Sequence, residues 1–432
     1  MSEATDVPGI ARDEQPFLWC GRLAGAAVVL VIVASLAASS GGAAAKRAVG
    51  SSGRASLGTS ALATVAAARP RRTDLSSTYI VDLTWVSEDT GWALSAAPCG
   101  RLLCPRIAAT VNGGRSWTAL PDPPAYLSTS SAATYCTRPP CVDHLRFATA
   151  TIGYLFGPSL LITRDGGETW TRVASPPVES LEPGPDTVVR LVYDHDGCPG
   201  PCQRTLEAAP AGSDHWRVLL ADLSADTSSS AVNAQVIRAG AEVIYVPIYG
   251  NLAAGAGTQQ TTIYRSLDAG RSWARLADPC GGAGAGLRDA IAIAAAPGGL
   301  LAALCTTRNA STYGYSVVSS TDDGASWRAR RPVPAWAQFS PDHIAAAGPS
   351  AMVITNSPAA GSGRYTYRLM LSSDGGKAWS SVASDPEQLE PNAPYATYLG
   401  FQDSLVGRWV GYQRLIWTTT DGGRHWTRRR FA

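Results

Sequence analysis

The chain is poor in methionine (3), histidine (5) and phenylalanine (6) over its 432 residues, and only 16% of it is charged. So little charge beside 45% hydrophobic residues excludes a largely disordered chain. A formal net charge of +2 gives no reason to expect a nucleic-acid partner. His144, His215, His343 and His425 are scattered with no nucleophile beside them, and they read as surface or packing residues. No GxSxG, P-loop or GxGxxG stands in a usable context, so no cofactor is expected.

What the chain has in quantity is tryptophan (13), tyrosine (15), glycine (43) and proline (29), which predicts short strands joined by many turns. One long apolar run, Leu23 to Ala38, follows Arg12 and Arg22. It reads as a signal peptide or, extended back through Phe17, a signal anchor; Ala37, Ala38 and Ser39 permit cleavage, and Cys20 precedes the run, so there is no lipobox. Lys46, Arg47 and Arg54 lie on its far side, against a simple positive-inside count. The expected organisation is a short segment 1–16, the apolar helix 17–39, a disordered small-residue linker 40–77 and a folded part 78–432.

Eight cysteines follow the apolar run, six of them in close pairs: Cys99 with Cys104, Cys136 with Cys141, and Cys198 with Cys202. Cys280 and Cys305 make the natural fourth pair. Paired cysteines behind an export signal predict disulfides in an extracytoplasmic, oxidising compartment, with the chain membrane-anchored or secreted.

One phrase recurs six times: "TVNGGRSW", "TRDGGETW", "SLDAGRSW", "STDDGASW", "SSDGGKAW" and "TTDGGRHW". Its third and eighth positions are Asn112 and Trp117, Asp165 and Trp170, Asp268 and Trp273, Asp322 and Trp327, Asp374 and Trp379, Asp421 and Trp426. The tryptophans stand about fifty residues apart, a spacing of solenoids and propellers, except for one double interval. Trp216 in "AGSDHWRVL" divides that interval and marks a degenerate seventh unit, with Ala211 and Ser213 at the Asp and Gly positions. Each unit breaks into four short apolar runs, so the predicted fold is all-β: a seven-bladed β-propeller of four-stranded antiparallel blades. The phrase falls between third and fourth strands. There its Asp caps the turn, a Gly such as Gly167 or Gly423 takes positive φ, and the Trp is buried between blades.

At these residues the chain resembles the Asp-box, or BNR, repeat proteins of the sialidase-like superfamily. "DTGWALS" before "TVNGGRSW" is similar to the subgroup related to the photosystem II assembly factor, in which a Gly-Trp strand precedes each box. That likeness implies a binding or assembly propeller. Kinship with sialidases would imply instead an Arg triad, a Tyr nucleophile with Glu, and an Asp acid/base. The only counterpart of their early Arg motif is "PRIA" around Arg106, which reads more simply as a strand residue beside a disulfide.

Asp194, His195 and Asp196 offer metal-ligand atoms, but neighbours in a strand point to opposite faces, so no metal is expected. The cysteines and the long loops fall on the face opposite the boxes. Tyr126, Tyr135, Arg138, Trp336, Tyr395 and Tyr398 are the residues of those loops suited to a contact surface. The expectation is a monomeric, non-catalytic propeller that binds an envelope protein or glycan there and reaches the membrane through its N-terminal segment. The alternative is an exo-acting, sialidase-like glycoside hydrolase or another glycan-processing enzyme, which would place carboxylates and arginines together at the central channel.

Overall fold

A computed structural model describes residues 75, 78–99, 102–128, 140–193, 203–223, 233–249, 261–281, 287–309, 312–334, 339–358, 367–385, 398–411 and 414–431. The expected anchor and nearly all of the linker lie outside these residues. Among the described residues no helix is long and apolar enough to cross a membrane.

Seven antiparallel sheets follow one another along the chain, each made of consecutive strands. The first strands of the successive blades are Tyr79–Trp85, His144–Phe147, Val178–Pro183, the pieces Asn233–Ala234 and Ile237–Arg238, Leu287–Ala296, Phe339–Ala346 and Tyr398–Phe401. The break in the fourth gives that sheet five strands by count, and a short parallel pair, Tyr126–Leu127 with Cys141–Val142, lies in the link between the first two blades.

Seven separate cores fill the seams, one per pair of neighbouring blades, and each receives one of the seven repeat tryptophans. Trp170 packs against Leu94, Ile107 and Leu145 between the first and second blades. Trp216 of the degenerate unit does the same between the second and third. Truncating such a ring costs about 3–5 kcal/mol, so the spacing of tryptophan is the spacing of the seams.

The Gly-Trp signature has its own reason. The last residue of an inner strand lays an aromatic ring on the first glycine of the next strand: Trp85 on Gly91, Phe147 on Gly153, Phe401 on Gly407. A Cβ at those glycines would come within 2.4–2.6 Å of the ring. The residue after each glycine then reaches into the following blade. Trp92 Nε1 donates to Gly166 O at 3.0 Å, Tyr154 Oη accepts from Gly212 N at 2.6 Å, and Arg408 Nη2 donates to Glu88 O at 2.9 Å.

The six boxes share one hydrogen-bond pattern. In the second, Thr163 Oγ1 donates to Asp165 Oδ1 and accepts from Gly167 N, while Asp165 Oδ1 accepts from Thr169 N. Asn112 keeps this pattern in the first box through its Oδ1. Gly167 has φ +101 and Gly423 φ +91, and a Cβ on Gly423 would also stand 3.0 Å from Val353 of the preceding blade. The fifth position therefore demands glycine twice over, for the turn and for the seam.

Among the described residues no strand is shared between the first and last blades. Side chains close the ring: Leu75, Ile80 and Leu83 share a core with Val410, Ile416 and Phe431, and the Arg408 guanidinium lies 4.3 Å from the Trp85 ring centre.

Candidate functional site

The turns after the first and third strands of a blade share one face, which carries the boxes. The turns after second strands and the links between blades make the other face. Inner strands run from the link face to the box face and wall a central cavity of about 870 Å³. Tyr398 and His144, which begin their strands, mark its link-face end, and Trp85 and Phe401, which close theirs, mark the box-face end.

The wall is two-sided. Blades five and six contribute small and aliphatic residues, among them Ile291, Ala295 and Ala346, with His343 the exception. Blades one to four contribute Asp82, His144, Arg146, Glu182, Gln235 and Arg238. Arg146 Nη1 donates to Asp82 Oδ2 at 2.7 Å and Arg146 Nε to Glu182 Oε1 at 2.8 Å. Bridged by one planar guanidinium, the two carboxylates lie within about 8 Å of each other. Asp82 also accepts from the backbone N–H groups of Leu83 at 2.8 Å and Leu145 at 3.0 Å.

Burial by itself would raise the Asp82 pKa, but the Arg146 charge and the bonds from His144 and Leu145 outweigh it and hold the carboxyl below its usual value. His144 stands 3.5 Å from Asp82 Oδ2 through Nδ1 and 3.5 Å from Asp143 Oδ1 through Nε2. Burial depresses its pKa, while the bond to Asp82 and the charges of Asp143 and Asp82 carry it above the usual imidazole value. Asp143 lies behind the wall against Gly157, and burial pushes it up to about 6. Burial likewise lifts the Tyr398 hydroxyl to about 12, so it remains a neutral donor. The arrangement offers fixed donors and acceptors around a neutralised ion-pair ladder.

Of the residues expected to form a contact surface, Tyr398 lines the cavity, whereas Tyr126 sits in the link pair away from it. Tyr135, Arg138, Trp336 and Tyr395 lie outside the described residues. His144 and His343, read from the sequence as surface or packing residues, line the cavity, because alternate residues of an inner strand face it. Arg106 lies on a third strand, paired with Asp122, away from the channel. Cys99 with Cys104 and Cys280 with Cys305 form disulfides, and Cys141 is disulfide-bonded. Cys136, Cys198 and Cys202 lie outside the described residues, as do Asp194, His195 and Asp196. Among the described residues no group of three His, Cys, Asp or Glu side chains is placed to hold a metal ion.

Sequence reasoning missed Asp82, Arg146, Glu182 and Arg238. A signal existed: each is a charged residue inside the first run of its unit, where a propeller turns alternate side chains toward its axis.

No protein-family profile matches the chain, and no curated protein sequence matches it. Among solved structures it is similar to the GH74 xyloglucanase from Xanthomonas campestris, with 17% identity and a TM-score of 0.50 over 82% of this chain and 55% of that one. The chain thus spans little more than half of that enzyme. It is also similar to YCF48 bound to a D1 peptide, with 14% identity and a TM-score of 0.44 over 83% of this chain and 94% of that one. YCF48 from Cyanidioschyzon merolae aligns at 13% identity and a TM-score of 0.46 over 81% of this chain and 98% of that one. At these identities the likeness concerns the fold, and the chain is a seven-bladed β-propeller.

Proposed function

We propose that the propeller is an extracytoplasmic binding or assembly module, kin to the Asp-box repeat proteins and tethered by its N-terminal segment. In this reading it recognises an envelope protein or glycan through the link face and the channel mouth without turning it over. The carrying observation is that the channel carboxylates are already engaged: Asp82 and Glu182 share Arg146. A carboxylate so held is a poor nucleophile and a poor proton donor, whereas glycoside hydrolysis needs one free group of each kind. The Cys99–Cys104 and Cys280–Cys305 bridges support export.

A second reading, a glycoside hydrolase, is favoured by two features: Asp82, Glu182, Arg146 and Arg238 meet at the central channel, as that alternative expects, and two neighbouring carboxyl groups are driven apart in pKa. Asp143 is raised to about 6 while nearby Asp82 is lowered, the kind of split that separates an acid from a base.

The test incubates the region Thr73–Ala432, disulfides intact, with fluorogenic sialosides and envelope polysaccharides, scoring turnover and retention. Turnover abolished by Asp143→Asn or Asp82→Asn would overturn the non-catalytic reading. Retention without turnover supports a lectin-like propeller. Absence of both narrows the reading to a protein partner, checked by photocrosslinking from position 398 in envelope preparations.

A further inference from the structure

We propose that the outer edge of the seventh blade docks on an anionic phospholipid surface. That edge is the strand Thr427–Arg430, exposed at all four positions and paired only on its inner side, to Leu415–Thr419. From Arg424 to Arg430 the chain carries four arginines and no acid, and its one histidine, His425, is bound to Asp421 just upstream. Arg428 lies 5.9 Å from the Trp417 ring centre and Arg424 Nη1 donates to Asp421 O. The side chains of Arg429 and Arg430 make no hydrogen bond or ion pair among the described residues. Their charge is not spent inside the protein.

Protection of an open sheet edge is the ordinary use of such charge, but one charge of either sign serves it. The outer strand Thr118–Ala119 has none, Thr171–Val173 and Ala274–Leu276 have one arginine each, and Arg217–Leu223 balances Arg217 with Asp222. Arg328–Pro332 of the fifth blade is the other strand with three arginines. A run of one sign, pointing to both faces of its strand, matches a surface of the opposite sign rather than a neighbouring strand.

The position of the edge bears on the occupant: Leu75, the first described residue, shares a core with Phe431 beside this edge, and the apolar run Leu23 to Ala38 precedes that residue in sequence. Edge-on contact through the seventh blade leaves the link face clear for its own partner. The inference goes beyond the binding reading and takes from it only the expectation of export.

Sedimentation of Thr73–Ala432 with vesicles tests it; among the described residues every core residue lies from Leu75 to Phe431, and the fragment contains them all. Vesicles of phosphatidylcholine with a third phosphatidylglycerol are compared with pure phosphatidylcholine at low and high salt. We expect binding to the anionic vesicles alone, weakened by salt. Each arginine removed should weaken it about fivefold, and Arg428→Gln, Arg429→Gln and Arg430→Gln together about a hundredfold. Arg172→Gln with Arg217→Gln, on the second and third blades, should leave it unchanged. If the triple variant loses its thermal transition, the single Arg429→Gln and Arg430→Gln variants give the same reading. Wild-type protein left in the supernatant, equal binding to both vesicles, or a triple variant that binds like wild type would each overturn the proposal. So would retention on heparin without vesicle binding, which would assign the edge to a soluble polyanion. None of these outcomes alters turnover or glycan retention at the channel, so the two readings fail separately.

Discussion

Arg146 Nη1 stands 2.7 Å from Asp82 Oδ2 across the seam between the first two blades, and the same guanidinium holds Glu182 of the third blade at 2.8 Å. One side chain therefore ties three inner strands. Arg146→Met should strand a buried Asp82 carboxylate and cost about 3–5 kcal/mol. Thermal unfolding should show this as a midpoint lower by roughly 5–10 °C. Arg146→Lys should recover only part, because an ammonium has no planar fork to span both carboxylates. An unchanged midpoint in Arg146→Met would show that the ladder does not hold the channel.

Stability should fall as pH rises from mildly acid to neutral. Asp143 at about 6 and His144 above its usual value both bind a proton more tightly folded than unfolded. Their contribution is full below the unfolded pKa and is lost as pH climbs through the folded one, for Asp143 between 3.8 and about 6. The box carboxylates act in the opposite sense: Asp165, Asp268 and Asp322, near 2, stabilise above 3.8 and lose that effect as pH falls toward about 2. Calorimetry across pH should therefore find the highest midpoint near pH 4 to 5, and Asp143→Asn should remove the descent up to about pH 6. A wild-type profile flat from pH 4 to 8 would contradict the channel electrostatics.

Gly153→Ala should be worse than Gly375→Ala. A Cβ at Gly153 would meet the Phe147 ring at 2.6 Å, whereas at Gly375 nothing lies within 4 Å and only the φ of +74 resists. Overpacking of this kind costs about 1–3 kcal/mol, and a left-handed alanine about 1 kcal/mol. Urea titration of both variants measures the order directly.

Loss of the Cys280–Cys305 bridge should cost more than loss of Cys99–Cys104. The first closes a separation of 25 residues and the second one of 5, which by chain entropy is about 3.5 against about 2 kcal/mol. Cys280 and Cys305 are also fully buried, so alanine there leaves a void. Paired alanine variants compared by chemical denaturation should show the difference in midpoint.

The blades were legible because their signals are local. Ser or Thr, Asp, Gly and Trp at fixed offsets build one turn and fill one seam, so each unit announced itself, and even Trp216 without its box kept the period. The channel was not legible in the same way. Arg146 and Asp82 are 64 residues apart, Arg146 and Glu182 are 36, and nothing in either interval names the partner. Tyr398 was counted as the last residue of a loop; the structure begins the inner strand at that residue and places it on the cavity wall.

Among the described residues the ring closes without exchanging a strand, the strands of each blade following one another along the chain. Connectivity and architecture are therefore separable here. A permuted gene that opened any inter-blade link and joined the present ends by a spacer would encode the same seven sheets in the same cyclic order. Whole blades are likewise the natural unit in which such a protein could be lengthened, shortened or reassembled from two fragments.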